Sequence, residues 1–116
     1  MTSRTSRDRA HDPQDLARLL VSRASSGDVE GMVALYEPDA VLAVGNGGAA
    51  VGAEATRRFY TELLATSVEF HVGDRRPALV CGNLALTSTR LPNGTVTAEI
   101  ARKQSDGTWL TQGGDR

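Results

Sequence analysis

Apolar residues in the first half of the chain recur at helical spacing. The pattern predicts a first helix from residue 12 that ends before Gly27, a second helix that Asp28 opens and Pro38 stops, and a third over Ala53 to Thr66. Asp, Pro and Gly are typical of these helix ends. The inward-facing positions are Leu16, Leu19, Leu20 and Ala24, then Val29, Met32, Val33 and Tyr36, then Phe59, Leu63 and Leu64.

The second half of the chain alternates between apolar and polar residues, which is typical of strands. Asn93-Gly94 and Asp106-Gly107 provide the positive φ angles that tight hairpin turns require. Helices followed by hairpin-linked strands predict an α+β domain with three N-terminal helices on one face of an antiparallel sheet. The predicted strands cover Ala40 to Val44, Val68 to Val72, Ala78 to Leu91, Thr95 to Gln104 and Thr108 to Gln112.

Two-residue turns at both glycine signals would fix which side chains share a face. They would place Thr89 opposite Ala98 and Arg102 opposite Thr111. We assign the face that carries Trp109 to the helices. That face then contains Ala85, Thr87, Thr89, Val96, Ala98, Ile100, Arg102, Trp109 and Thr111. The outer face contains Leu84, Leu86, Ser88, Arg90, Thr97, Glu99, Ala101, Lys103, Leu110 and Gln112.

Composition restricts the class of protein. A chain of 116 residues with 40% hydrophobic residues has room for one domain, which we place at residues 12–116 after a disordered tail at residues 1–11. The net charge of -1 disfavours a nucleic-acid partner, and no apolar run reaches membrane-spanning length. A single cysteine, Cys81, predicts a cytoplasmic location. The two histidines lie in no metal-ligand spacing, so we expect no metal and no cofactor.

Three segments resemble the SnoaL-like branch of the NTF2-like superfamily, which includes ketosteroid-isomerase-like proteins. "ASSGDVEGMVALYEPDAVL" from Ala24 resembles the helix–Gly-Asp–helix–strand opening, "GAEATRRFYTELL" from Gly52 resembles the third helix, and "SDGTWL" from Ser105 resembles the last hairpin. The resemblance implies a cystatin-like cone, in which a strongly bent sheet wraps against the helices around a pocket. It also implies a homodimer through the outer sheet face.

The catalytic residues of the resembled enzymes find few counterparts. The ketosteroid-isomerase base would fall at Val44 or Gly45, and its oxyanion tyrosine would fall in the first helix, where Leu20 stands. Acid–base catalysis of that type requires both groups. Glu99 is the one carboxylate within a predicted late strand, as in the cyclases, but the predicted register places it on the outer face.

The sequence therefore predicts a pocket protein that binds a small, largely apolar organic molecule, with catalytic residues unknown. An isomerase-, cyclase- or dehydratase-type enzyme that uses a water molecule, His71 or Asp115 for protons stays open, as does a dimeric interaction module without catalysis. Arg102 either anchors a ligand or pairs with an acidic neighbour. The candidate pocket residues are Thr87, Arg102, Trp109 and Thr111, with Tyr36 and Tyr60 behind them.

Overall fold

Helices and strands follow one another in the order that the sequence predicts. The computed structural model of the chain describes residues 8–44, 47–66, 70 and 73–115, and the side chain of residue 115 is not described. Within these residues the elements are α1 (Asp15–Ser25), α2 (Val29–Val33), β1 (Tyr36–Ala43), β2 (Ala49–Val51), α3 (Gly52–Ala65), β3 (Asp74–Arg75), β4 (Leu79–Cys81), β5 (Leu84–Arg90), β6 (Val96–Lys103) and β7 (Trp109–Asp115).

The described strands form one open sheet in the order β2-β1-β7-β6-β5-β3, with β4 also paired to β5. The helices pack on one face of the sheet, so the predicted α+β cone is confirmed. The sheet differs from the predicted antiparallel one in a single respect. Strands β1 and β7 run parallel, so the sheet is mixed. Register shifts interrupt the β1–β7 and β6–β7 ladders, and such bulges bend a sheet. We call the helix-covered side the concave face and the opposite side the convex face.

The first two helices join as predicted. Gly27 has a φ of 72°, and its N–H donates to the carbonyl of Ala24 at 3.0 Å. The carboxylate of Asp28 then caps α2 by accepting from the N–H of Gly31 at 3.0 Å. Helix α2 ends at Val33, earlier than predicted, because the residues that follow pair with β7 instead of continuing the helix. The N–H of Thr111 in β7 donates to the carbonyl of Leu35, and Tyr36 begins β1.

Both late hairpins have three-residue loops, so the predicted two-residue register is wrong. The N–H of Leu91 donates to the carbonyl of Thr95 across the first loop, and that of Gln104 donates to Thr108 across the second, each at 2.7 Å. Gly94 has a φ of 89° and Gly107 a φ of 87° at the third loop position. A type I turn followed by a left-handed residue is the usual three-residue hairpin.

Each three-residue loop shifts the strand pairing by one residue relative to the predicted register. The two shifts cancel, so the residues of β5 and β7 lie on the faces that the sequence predicts. Only β6 is inverted relative to the prediction: Thr89 pairs with Thr97, Thr87 with Glu99 and Ala85 with Ala101. Ala98, Ile100 and Arg102 lie on the convex face instead. The concave face of these three strands contains Ala85, Thr87, Thr89, Thr97, Glu99, Ala101, Trp109 and Thr111.

The domain includes part of the segment that we expected to be a disordered tail. Ala10 is only 2% exposed, and its carbonyl accepts from the N–H of Trp109 at 2.8 Å. Arg9 also forms an ion pair with Asp106 at 3.1 Å. Arg9 and Ala10 therefore contact the rest of the domain, the domain boundary itself stays a prediction, and residues 1–7 lie outside the described part of the chain.

Two further predicted strands differ from the prediction or lie largely outside the described residues. The predicted strand over Ala78 to Leu91 is two strands, because Gly82 and Asn83 form a turn in which Gly82 has a φ of 60°. The predicted strand over Val68 to Val72 has only Phe70 among the described residues, where it is not in a strand. No helix of the described residues has the length and apolar character to span a membrane.

Candidate functional site

A narrow hollow lies between the N-terminal turn of α1, strand β3 and the concave face of the sheet. Its volume is about 10 Å³, which is room for about one water molecule. Apolar groups of α1 form one wall and the polar side chains of β5, β6 and β7 form the floor. The lining residues that matter chemically are Leu16, Arg75, Thr87, Thr89, Glu99 and Thr111.

The floor of the hollow has a buried carboxyl group, that of Glu99. This residue is 6% exposed, and the hydroxyl of Thr87 donates to its Oε1 at 3.0 Å. On the other side of Glu99, its register partner Gly114 has no side chain, and a Cβ there would lie 3.0 Å from Cγ of Glu99. The glycine therefore leaves the space that the Glu99 side chain occupies. Our prediction that Glu99 lies on the outer face is wrong, because β6 is inverted.

Hydrogen bonds between α1 and β3 close the mouth of the hollow. The side-chain amide of Gln14 donates to the carbonyl of Arg76 at 2.6 Å, and Nη1 of Arg75 donates to the carbonyl of Gln14 at 3.2 Å. These groups are exposed, and exposed hydrogen bonds of this kind contribute little to stability because water replaces them. The mouth can therefore open at low cost.

Thr87 and Thr111 are the predicted pocket residues that line the hollow. Tyr36 and Tyr60 are core residues whose hydroxyl groups lie 2.5 Å apart and hydrogen-bond to each other. Trp109 is also buried in the core, where its backbone N–H binds Ala10, and it borders a different groove described below. A role in ligand binding stays a prediction for Thr87 and Thr111.

Arg102 does not lie in the hollow. The inverted β6 places it on the convex face, opposite Leu84 and Leu110. Its Nε lies 3.0 Å from Oε2 of Glu37, whose side chain is 12% exposed, and Gln104 donates to the same carboxylate at 2.9 Å. Of the two roles that the sequence left open for Arg102, the structure supports the ion pair with an acidic neighbour. The predicted pocket position is wrong.

A wider groove of about 450 Å³ lies between residues 8–10, Arg23 of α1, residues 34–35 and the β6–β7 hairpin. Its polar groups already bind one another. Asp106 accepts from the N–H and the hydroxyl of Thr108 and pairs with Arg9, while Arg23 donates to the carbonyls of Asp8 and Gly31. The hydrogen bonds from Thr108 lower the pKa of the Asp106 carboxyl.

Three further residues named in the sequence analysis lie away from the hollow or outside the described part of the chain. Cys81 is a free, exposed cysteine at the β4–β5 turn. His71 and the side chain of Asp115 lie outside the described residues. The described residues include no cluster of three or more histidine, cysteine, aspartate or glutamate side chains that could hold a metal ion.

Comparison with solved structures identifies the fold. A ketosteroid isomerase-like protein from Erwinia carotovora atroseptica SCRI1043 is 20% identical, with 88% of this chain and 89% of that chain covered and a TM-score of 0.67. A protein of unknown function with a cystatin-like fold from Nostoc punctiforme PCC 73102 is 19% identical, with 87% and 84% covered and a TM-score of 0.68. An NTF2-like protein from Novosphingobium aromaticivorans is 21% identical, with 88% and 76% covered and a TM-score of 0.62.

These identities support a shared fold and no particular activity. No curated protein matches the chain. The family model described as "SnoaL-like domain" matches residues 16–110, which include α1, the Glu99 strand and the start of β7. The chain therefore belongs to the SnoaL-like domain family.

Proposed function

We propose that this domain binds a small organic molecule with a largely apolar body in the hollow, where Glu99 accepts a hydrogen bond from the ligand. The observation that carries the proposal is the buried Glu99 carboxyl group on the concave face, opposite the apolar wall of α1. Ligand sites typically combine apolar walls with a few placed polar groups. The hollow must widen to admit a ring, and the exposed hydrogen bonds of Gln14 at its mouth allow this.

The wider groove is a weaker candidate despite its volume. A ligand there would compete with ion pairs and hydrogen bonds that the groove residues already make, such as the Arg9–Asp106 pair. Residues 8–10 form one of its walls. The hollow has the hydroxyl groups of Thr89 and Thr111 beside Glu99, on a face that the helices cover. These convergent groups favour the hollow.

Binding of matched ring compounds tests the proposal. We expect cyclohexanol to bind more tightly than cyclohexanone, because the alcohol donates a hydrogen bond to Glu99 and the ketone only accepts. The substitution Glu99→Gln should weaken cyclohexanol binding about fivefold, since a hydrogen bond to a charged acceptor is roughly twice as strong as a neutral one. It should also reduce the preference for the alcohol, because glutamine can donate to the ketone. Titration calorimetry measures both affinities.

Glu62→Gln is the matched control, because Glu62 is exposed on α3 and the same charge is removed. This variant should bind both compounds as the unmodified protein does. If neither ring compound binds at any concentration tested, or if Glu62→Gln weakens binding as much as Glu99→Gln, the proposed site is wrong.

A catalytic function is the second candidate, because Glu99 is a carboxyl group held within a covered hollow. An isomerase, cyclase or dehydratase needs a base in contact with its substrate. Glu99 would remove a proton next to a carbonyl group, and the hydroxyl of Thr111 would donate to the developing enolate. Catalysis would incorporate deuterium next to the carbonyl of cyclohexanone in D₂O. We expect this exchange to be faster with the protein than in buffer alone, and to be lost in Glu99→Gln. If deuterium exchange with the protein is no faster than in buffer, the catalytic function is wrong and only the binding function is left.

We also propose that the domain forms a homodimer through the convex face, whether or not it is an enzyme. Register partners across the strands place Leu79, Leu86, Ile100 and Val41 in one exposed apolar row. Arg102 borders the row, and Arg90 lies further along β5 beyond Ser88. An apolar centre with a polar rim is typical of a subunit contact, and a two-fold axis lets one surface serve both copies.

A charge placed in the middle of this row should prevent dimerisation. We expect Ile100→Glu to raise the dimer dissociation constant at least about tenfold, because pairing would bury an unpaired carboxylate. Val80→Glu is the control, since Val80 is also exposed but pairs with Ala85 and so lies on the other side of β4. Analytical ultracentrifugation over a dilution series measures both. An unmodified protein that stays monomeric throughout would disprove the dimer.

The cytoplasmic location stays a prediction. An exposed free thiol such as that of Cys81 fits a reducing compartment, where it is protected from oxidation. Cell fractionation with an antibody against the chain would test this.

A further inference from the structure

We propose that the ligand of the hollow is a small hydroxylated organic acid, whose carboxylate binds Arg75 at the mouth while its hydroxyl group donates to Glu99 at the floor. This inference rests on the proposed function, to which it adds the charge of the ligand and the residue that recognises it.

Arg75 faces the hollow. It pairs in register with Thr89, which is buried on the concave face, and directly opposed residues of antiparallel strands project to the same side. Its Nη1 reaches across the mouth to the carbonyl of Gln14 at 3.2 Å. A guanidinium has five N–H groups, and that hydrogen bond uses one of them. The planar group can therefore still bind a carboxylate through two parallel hydrogen bonds.

Nearby carboxylates are engaged elsewhere. Asp74 pairs in register with Arg90, on the convex side of the sheet. Asp15 accepts from the N–H groups of His11 and Asp12, each at 3.2 Å, and pairs with Arg18 at 3.7 Å. Within the described part of the chain, no carboxylate forms an ion pair with Arg75. An anion entering the hollow would therefore meet this guanidinium without displacing a protein carboxylate.

The spacing of Arg75 and Glu99 sets the size of the ligand. Arg75 lies on β3 and Glu99 lies two strands away on β6, two residues further along the strand direction. A strand spacing of about 4.8 Å and a rise of about 3.4 Å per residue separate the two Cα atoms by roughly 12 Å. Both side chains project from the concave face side by side, so their end groups are separated by a comparable distance. A six-membered ring with its hydroxyl and carboxylate at opposite positions, together with a hydrogen bond at each end, has a similar length.

Arg76 provides a matched control for Arg75. It is the next residue in the chain and has the same charge, and its N–H donates to the carbonyl of Ser88 at 3.0 Å. Arg76 lies beyond the end of β3 and also lines the hollow, but only Arg75 extends its guanidinium across the mouth, to the carbonyl of Gln14. The carbonyl of Arg76 borders the mouth of the hollow, where it accepts from Gln14. A general attraction of anions would depend equally on both arginines, whereas a site within the hollow depends on Arg75.

The experiment compares 4-hydroxycyclohexanecarboxylate with its neutral carboxamide, by calorimetry on the full chain. We expect the carboxylate to bind about tenfold more tightly, since bidentate hydrogen bonds from arginine to a carboxylate are charge-assisted. Arg75→Ala should remove this preference while the carboxamide binds as before. Arg75→Lys, which keeps the charge but cannot bind in a bidentate manner, should retain part of it. Arg76→Ala should keep the preference, and added salt should reduce it in every variant that has it.

Two results would overturn the inference and leave the proposed function intact. In the first, the carboxylate and the carboxamide bind the unmodified protein equally. In the second, Arg76→Ala lowers the preference as much as Arg75→Ala does. Failure of cyclohexanol, of the carboxylate and of the carboxamide to bind would instead reject the hollow as a ligand site. Thermal melting of each variant separates loss of binding from loss of folding, and Arg75→Lys provides a second test if Arg75→Ala unfolds.

Discussion

Replacement of Leu42 by alanine should destabilise the domain by about 3 kcal/mol, which lowers its melting temperature by roughly 10 °C or more. Leu42 is 0% exposed near the end of β1, between Ala50 of β2 and Gly114 of β7. Those two neighbours are small, so they cannot fill the cavity that the lost side chain leaves, and the cost should lie well within the 2 to 5 kcal/mol range of such substitutions. Urea unfolding followed by circular dichroism measures the change.

Val41→Ala is the control for Leu42→Ala. The two residues are neighbours in β1, but Val41 is 47% exposed on the convex face. Its truncation should cost less than about 1 kcal/mol in the monomer, as is usual for surface positions. Any larger cost should grow with protein concentration, because Val41 belongs to the proposed dimer surface. Equal destabilisation by both substitutions at low concentration would mean that β1 does not face the core as described.

The helical part of the fold was predictable because its signals are local. The spacing of Leu16, Leu19 and Leu20 indicates one buried face regardless of what packs against it, and all three are buried. Gly27 and Asp28 fix the junction of α1 and α2 through hydrogen bonds to residues a few positions away. The end of α2 was not predictable in this way, since it depends on the pairing of Leu35 with Thr111, far along the chain.

The predicted site was wrong in part because the predicted register between β5 and β6 was wrong. One residue, Pro92, indicates the correct register. In a two-residue turn at Asn93-Gly94, Pro92 would flank the turn and pair with Thr95, a position that uses its N–H. Proline has no N–H, so Pro92 excludes that turn and favours the observed three-residue loop. This signal was present in the sequence. Its correct interpretation would have placed Glu99 in the hollow and Arg102 outside it.

Other parts of the site lie beyond local sequence signals. Arg75 faces the hollow because β3, only two residues long, pairs with the far end of β5. Short strands have too few residues to show alternation, so nothing in the sequence around Arg75 indicates its partner. The parallel β1–β7 pair is equally non-local, since it joins Tyr36 to Thr111. The ion pair of Arg102 with Glu37 follows from that same pairing.

Substitution of Gly73 by alanine should destabilise the domain by about 3 kcal/mol and also weaken carboxylate recognition. Gly73 has a φ of 71°, and a side chain in this left-handed region costs about 1 to 2 kcal/mol. A Cβ would also lie 2.8 Å from the carbonyl oxygen of Arg90, which belongs to the backbone of β5 and cannot easily move. Such overpacking costs typically 1 to 3 kcal/mol. Relief requires β3 to separate from β5, which displaces Arg75.

Gly94→Ala separates the two contributions, because Gly94 has a similar φ of 89° but no atom lies within 4 Å of its Cβ position. It should cost only the backbone strain, about 1 to 2 kcal/mol, and should leave the preference for 4-hydroxycyclohexanecarboxylate unchanged. The difference between the two variants therefore measures the close approach of β3 to β5. If Gly73→Ala lowers the free energy of unfolding no more than Gly94→Ala does, the backbone of β5 does not approach Gly73 closely. If Gly73→Ala keeps the full carboxylate preference while the domain is destabilised, Arg75 does not depend on the pairing of β3 with β5.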